Sequence, residues 1–389
     1  MGRFAEALAR PGLTAIAEVK RRSPSAGDLR PDADPGRIAA DYEAAGAAAV
    51  SILVDERFGG TWDDLRAARA TASLPLLAKG FFSTEADLGT AREAGADAAL
   101  LLLRDLDDAH VARLLGVAAE LGLETLVEAH DADELDRALA LAAPVIGINA
   151  RDLSTFEVDR RRQLELVTIS HKRAPERVVV AESGIASRAQ GAAAELAGAG
   201  AILVGSTLMR APDPGAKLAE ILSRPLVKVC GLTRDDDVAA AAEAGADMLG
   251  FVLAAGSPRR APGVLTVPDT LLTVAVVVGT AETDGADLVQ LYPEEEGKVR
   301  GRDAVLLRDD EEVARVVDLP WQEEDPTHFD RARAVEGRVM LAGGLGPENV
   351  RGAIAAVQPW AVDASSSLET SPGVKDHARV RAYVEAARG

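Results

Sequence analysis

Basic residues, aromatics, cysteine and long apolar runs are all scarce in this chain of 389 residues, and each shortage excludes something. Lys and Arg number 43 against 62 Asp and Glu, a formal net charge of −19, which excludes nucleic acid or an anionic membrane as an electrostatic partner. A phosphorylated small molecule would have to be held by local lysines, arginines and backbone N–H groups. A single cysteine excludes an internal disulfide and fits a reducing compartment. The five histidines, His110, His130, His171, His328 and His377, have no metal-ligand spacing, so neither a metal nor a cofactor is expected. No apolar run reaches the about 18 residues of a membrane span, and the opening MGRFAEALARPG has no apolar signal core. A cytoplasmic, monomeric protein acting on small molecules is the expectation.

Alanine and glycine are abundant instead. Hydrophobic residues make up 48% and charged residues 27%, enough to bury sizeable cores, and the length suits two domains of about 200 residues. One phrase recurs: a helix ending in Ala-Gly-Ala, then a short apolar strand. It stands at Ala45-Gly46-Ala47, Ala94-Gly95-Ala96 and Ala244-Gly245-Ala246, and as Ala199-Gly200 before AILVG. Glycine past a last helical turn takes positive φ cheaply, and a continuous apolar run suits a strand covered on both faces.

Eight such strands are predicted before residue 210: TAIAEV, VSILV, PLLAK, AALLLL, ETLVE, VIGIN, VVVAE and AILVG. Alternation with helical patterns predicts a closed barrel, closed off by the helix DPGAKLAEIL and followed by a linker at Ser223-Arg224-Pro225. A second series runs through LVKVC, MLGFVL, VAVVV, LVQLY, AVLL, RVVD, VMLAG and WAVDA. Its connections after the third, fourth and fifth strands are only about 8–12 residues, too short for full helical crossovers. The fold expected is α/β, two tandem (β/α)8 TIM barrels over 1–224 and 225–389, the second with shortened or missing helices.

A barrel of this kind gathers its chemistry at the C-terminal ends of its strands. In the first barrel those ends carry Glu18, Lys20, Ser23-Pro24-Ser25, Lys79, Glu128, Asn149, Arg151, Glu182-Ser183-Gly184 and Gly205-Ser206. Two lysines and three glutamates inside apolar strand ends are costly unless they pair or work. The glycine-rich ends of strands seven and eight suit a phosphate cradle of backbone N–H groups.

IAEVKRRSPS, LVDERFGGT, LLAKGFF, LVEAHD, IGINARDL, AESGI and LVGSTLM stand in the order and spacing of the indole-3-glycerol-phosphate synthases, which this region resembles over residues 10–222. The resemblance implies closure of an indole ring from 1-(2-carboxyphenylamino)-1-deoxyribulose 5-phosphate, with loss of CO₂ and water. Lys79 would then be the acid on the ketone and Glu128 its acid/base partner, with Glu18 and Lys20 in the same pocket. Asn149 and Arg151 would orient the hydroxyl and carboxylate, and Glu182 would bind substrate or Lys20. Ser23, Ser183, Gly184, Gly205 and Ser206 would bind substrate, the last four its phosphate. A lysine beside a second cation loses affinity for its proton, which would suit Lys79 as an acid. Gly80 stands where the family has Asp after the lysine, and the family's longer helical lead before the first strand is not matched.

VKVCGLT, GFVLAAGSPR, LVQLY, LAGGLGPENV and VDASSSLETSPGVKD resemble the phosphoribosylanthranilate isomerases over residues 226–389. The resemblance implies an Amadori rearrangement, with Cys230 as base and Asp318 as acid. Arg259 would bind the anthranilate carboxylate, Gln290 and Asp363 the sugar, and Gly343, Gly344, Ser365 and Ser366 the phosphate. N–H groups of the following helix would favour a Cys230 thiolate. Tyr292 replaces the family's His, LPWQEEDPTHFD its glycine-rich loop, and Ser366-Ser367 its Ser-Gly. The alternative is a single-activity synthase whose second barrel is non-catalytic. A third reading, generic phosphosugar barrels with paired aspartates on strands one and five, fits poorly because strand one offers Glu18 or Cys230.

Overall fold

The computed structural model describes residues 2–23, 27–141, 143–152, 155–280, 283, 285–296, 300–319 and 323–389. The chain divides into two compact units, Met1–Ala186 with Gly191–Leu222, and Ser187–Gln190 with Ser223–Gly389. Among the described residues no helix is long and apolar enough to cross a membrane.

The first unit opens with α1 (Arg3–Leu8) and holds eight strands: β1 (Thr14–Val19), β2 (Ala49–Leu53), β3 (Leu76–Lys79), β4 (Ala98–Leu102), β5 (Glu124–Ala129), β6 (Val145–Asn149), β7 (Val178–Glu182) and β8 (Ala201–Val204). All pair in parallel and β8 closes onto β1, with Thr14 opposite Ala201. The apolar runs predicted as strands are buried on both faces because helices cover them outside. Those helices start where short polar side chains can cap them: Asp34 before α2 (Pro35–Ala44), Thr61 before α3 (Trp62–Thr71) and Thr84 before α4 (Glu85–Glu93). Thr61 with Asp64, and Thr84 with Asp87, form reciprocal capping boxes. Gly46, Gly95 and Gly245 have positive φ at the helix ends, as predicted. At the fourth repeat it is Gly198 that turns left-handed, not Gly200, because α8 (Arg188–Leu196) ends earlier than the motif suggests.

Helix α1 plugs the barrel at the end opposite the mouth. Phe4 and Leu8 are fully buried in the lumen beside Ile16, Leu77 and Leu126, each burial stabilising by roughly 1.5–3 kcal/mol. Glu124, the first residue of β5, accepts from the N–H groups of Gly2 (3.0 Å), Phe4 (2.6 Å) and Ala5 (3.2 Å) and so satisfies the exposed start of α1.

The second unit is also a closed eight-stranded barrel: β9 (Leu226–Cys230), β10 (Met248–Val252), β11 (Leu272–Val278), β12 (Leu288–Tyr292), β13 (Ala304–Arg308), β14 (Glu311–Val317), β15 (Val339–Leu341) and β16 (Ala361–Ala364). Helices α11 (Asp235–Glu243), α12 (His328–Arg333), α13 (Val350–Val357) and α14 (His377–Arg388) cover one side. Among the described residues no helix lies between β10 and β14, including the long connection after β10 where one was expected.

The short connections on either side of β13 have a cause that spacing did not reveal: β13 runs antiparallel to both β12 and β14, whereas β11 and β12 remain parallel. Asp309 and Asp310, with φ of 50° and 63°, make a two-residue turn of the mirror-image type that matches strand twist in hairpins. A hairpin needs no crossover, so no helix is required. With that side uncovered, burial alternates along β12: Leu288, Gln290 and Tyr292 point in and are buried, while Val289 and Leu291 are half-exposed. Because β13 is inverted, its first residue, not its last, lies at the mouth.

The hairpin makes a direct prediction. Asp310→Gly should hold or raise the stability of the second barrel, and Asp310→Val should lower it by about 1–2 kcal/mol, because only glycine takes positive φ freely. Urea unfolding of both variants checks this; equal midpoints for the two would refute the turn.

Candidate functional site

The mouth of the first barrel is lined by one layer of side chains from alternate strands, Glu18 of β1, Lys79 of β3, Glu128 of β5 and Glu182 of β7. Lys79 Nζ sits 2.6 Å from Glu182 and 3.6 Å from both Glu18 and Glu128. Lys20 Nζ pairs with Glu18 at 2.6 Å. Glu182 thus pairs with Lys79 and not with Lys20, while Lys20 pairs with Glu18 in the same pocket. The three carboxylates are almost wholly buried. Two glycines make room for them. A Cβ on Gly147 would lie 2.1 Å from Glu182 Oε1, and one on Gly205 would lie 2.2 Å from Glu18 Oε1.

Burial and charge compete at each group. At Lys79 desolvation favours the neutral amine, but Glu182, Glu128 and Glu18 outweigh it and hold the proton well above the usual lysine range. This reverses the expectation of a lysine made more acidic, since its near neighbours are anions. At Glu128 burial is outweighed by Lys79, His130 and Asn149, and its carboxyl is held low. Glu182 goes the other way, pushed up by burial and then by the Glu128 charge. Among the described residues neither Glu128 Oε2 nor Glu182 Oε1 has a hydrogen-bond donor, which agrees with Glu182 being the carboxyl driven toward its protonated form. Glu18 is held low: burial raises it, and Lys20 with Lys79 lowers it further.

His130, singled out in the sequence only for its lack of metal partners, bridges Glu128 (3.1 Å) and Glu134 (3.0 Å). Asn149 donates to Glu128 at 3.0 Å and accepts from the N–H of Arg151. The Arg151 guanidinium reaches the carbonyl of Phe156. Ser183 and Gly184 both have φ of 71°, and for a serine that is strain of the kind stored at binding sites. Gly205 precedes the short helix α9 (Ser206–Arg210) on the same rim. Ser23 is buried in a two-residue pairing with Gly27–Asp28; Pro24 and Ser25 lie outside the described residues.

In the second barrel Cys230 ends β9 as predicted and is buried. Burial pushes its thiol up, more than Lys228 beside it pulls it down. Lys228, fully buried, was quoted in the sequence motif without a role. It donates to Gln290 at 2.7 Å and to Asp363 at 2.8 Å. Asp318 follows β14 at the mouth. Its Oδ2 accepts from the Tyr292 hydroxyl (2.6 Å) and Arg300 (2.7 Å), and its Oδ1 from the N–H of Leu319 (2.7 Å). Burial still raises Asp318 against Arg300 and Tyr292. Arg259 is forked onto Glu369, which also binds Lys375 at 2.8 Å. Gly343 and Gly344 have φ of 87° and 67°, and a Cβ on Gly343 would meet the Leu319 nitrogen at 2.4 Å. Ser365 precedes the 3-10 turn Ser366–Leu368 without a side-chain capping bond, and its carbonyl accepts from Lys375.

Sequence reasoning missed His130, Arg300, Glu369 and Lys375. His130 stands two residues past Glu128 and could have been found by its place after a strand end. Arg300 could not, because its place depends on the inversion of β13.

The indole-3-glycerol phosphate synthase family profile matches residues 2–221, and that of N-(5'phosphoribosyl)anthranilate isomerase matches residues 325–386. Indole-3-glycerol phosphate synthase 2 of Streptomyces coelicolor is 46% identical over 216 residues, 55% of this chain and 83% of that protein. The synthase of Laribacter hongkongensis is 45% identical over 209 residues, 54% of this chain and 79% of its own length. Among solved structures, TrpF from Jonesia denitrificans is 31% identical, covering 43% of this chain and 98% of that one, with a TM-score of 0.34. The two profiles on one chain favour two enzymatic barrels over the single-activity alternative. The chain belongs to the indole-3-glycerol phosphate synthase family and carries an isomerase barrel behind it, a bifunctional enzyme of tryptophan biosynthesis.

Proposed function

We propose that the cluster around Lys79 closes the indole ring and that Cys230 and Asp318 carry the preceding isomerisation, with 1–224 as the synthase barrel and 225–389 as the isomerase barrel. The observation that carries the first assignment is the Lys79 ammonium held among Glu18, Glu128 and Glu182 at the strand ends. The ring carbon bearing the carboxylate attacks the ketone carbon of the substrate, and Lys79 gives its proton to the ketone oxygen. CO₂ leaves, and its bonding electrons restore the aromatic ring. The new hydroxyl then departs as water, for which Glu182 has a proton to give and Glu128, held ionised, accepts one. Glu18 fixes Lys20 for an anionic group, Asn149 holds Glu128 in place, and Arg151 orients the carboxylate. Ser183, Gly184, Gly205 and Ser206 take the phosphate, with Ser23 on the same rim.

In the second barrel Asp318 protonates the furanose oxygen as the C1–O bond breaks. Cys230 takes the C2 proton, and the resulting enolamine tautomerises to the aminoketose. Lys228 supports the thiolate, and the burial of Cys230 means that the thiolate forms only with that charge beside it. Arg259 binds the anthranilate carboxylate, Gln290 and Asp363 the sugar hydroxyls, and Gly343, Gly344, Ser365 and Ser366 the phosphate. The acidic chain with one cysteine supports a cytoplasmic monomer that engages small phosphosugar anthranilates and no nucleic acid.

Three outcomes follow. Lys79→Met should lower the synthase kcat about 10²–10⁴-fold with isomerisation unchanged, checked by supplying the aminoketose phosphate directly. Cys230→Ala should stop turnover of phosphoribosylanthranilate at its first step while the aminoketose phosphate is still consumed; product chromatography separates the two. His130 tests the electrostatics. Burial opposes its charge, but Glu128 and Glu134 lift it from 6.5 to about 10. A raised folded-state value means that the stability it lends is full below about pH 6.5 and is lost as pH rises toward 10. Urea midpoints across that interval should therefore fall less steeply for His130→Gln than for the wild type; parallel slopes would refute the charged pair.

A further inference from the structure

The connection from β12 to β13 starts and ends at the same end of the barrel. In a parallel barrel it would return from the mouth to the opposite end before the next strand begins. Here β13 starts at the mouth, because Val305 pairs with Leu291 and Ala304 with Val316, near the C-terminal ends of β12 and β14. Both ends of the connection therefore lie on the catalytic face, and Arg300 lies in the second site. The guanidinium carbon lies 4.0 Å from the centre of the Tyr292 ring, and Nη2 donates to Asp318 Oδ2 at 2.7 Å. Nη1 donates to the carbonyls of Gly301 and Arg302 at 3.0 and 3.2 Å, so the fork is anchored in its own loop. Gln290 donates to the Tyr292 hydroxyl at 2.7 Å, which in turn donates to Asp318 at 2.6 Å.

We propose that Arg300 is a positioning residue of the isomerase site, clamping Tyr292 and Asp318 into one unit and setting the pH range over which Asp318 carries the proton for ring opening. The inference rests on Asp318 being the acid. Arg300 stacks on Tyr292 and pairs with Asp318 from a loop that only the inverted strand leaves at the mouth. Its hydrogen bonds go to Asp318 and to its own loop, so it acts through Asp318.

The groups facing Asp318 set the sign. Arg300 and the Tyr292 hydroxyl meet Oδ2, and the Leu319 N–H meets Oδ1. Asp303 accepts from the Asp318 backbone N–H, and Asp363 adds a like charge from β16. Of these, Arg300 is the nearby cation that favours the ionised carboxylate, and burial with Asp363 favours the acid. Removing the cation therefore extends the protonated range to higher pH and makes Asp318 a weaker acid.

The test is the pH profile of isomerase kcat/KM, on the full chain. Arg300→Gln should move the limb that Asp318 sets, the acidic one because the Cys230 thiol titrates higher, to higher pH and lower kcat by roughly 10–100-fold, the loss expected for a charged hydrogen bond. Arg300→Lys, which keeps the charge without the fork, should leave that limb near its wild-type position and recover part of kcat. Asp318→Asn should abolish isomerisation and make a further Arg300→Gln change silent. If Asp318→Asn leaves isomerisation intact, the acid assignment itself fails. If Asp318→Asn abolishes turnover but Arg300→Gln leaves the limb unmoved, or Arg300→Lys shifts it equally, the clamp alone is overturned.

Discussion

One ammonium makes the first site tolerable. Glu18, Glu128 and Glu182 converge from three strands into a pocket from which water is largely excluded, and without Lys79 between them their mutual repulsion and desolvation would oppose closure of the barrel. The solution is a division of protons. Lys79 keeps its own, Glu182 is driven to hold one, and Glu128 stays ionised with help from His130. Two chemically identical carboxyls thus acquire opposite proton affinities from their surroundings, which suits the proposed ring closure and dehydration. The glycines at 147 and 205 belong to the same constraint, because the carboxylates occupy the space a side chain would take.

The second barrel buries charge in another way. Lys228 lies under Cys230 with Asp363 and Gln290 as partners, so the cation is neutralised below the site and still acts on the thiol. No helix is needed between β12 and β14 because β13 is inverted, and burial alternates along β12 where that side is uncovered. The same inversion leaves Arg300 at the mouth. A departure in topology and a departure in site chemistry therefore share one cause.

Much of this was legible in the chain. Strand positions follow from apolar runs bounded by helix-ending glycines, and the convergence of Glu18, Lys79, Glu128 and Glu182 follows from their places at strand ends. Strand direction is another matter. The alternation of side chains along a strand is the same read forward or backward, so AVLL carries no sign of its inversion. The Asp309–Asp310 pair between two apolar stretches was the available signal, and it is a hairpin signal in a place where a barrel prompts one to look for a crossover.

The sequence by itself determined the number of strands, their order and the residues at their ends, because burial and periodicity are local properties. Only the tertiary structure decided which lysine pairs with which glutamate, which direction β13 takes and where Arg300 lies. Those depend on distances between segments far apart in the chain, where a few ångströms separate a partner from a bystander.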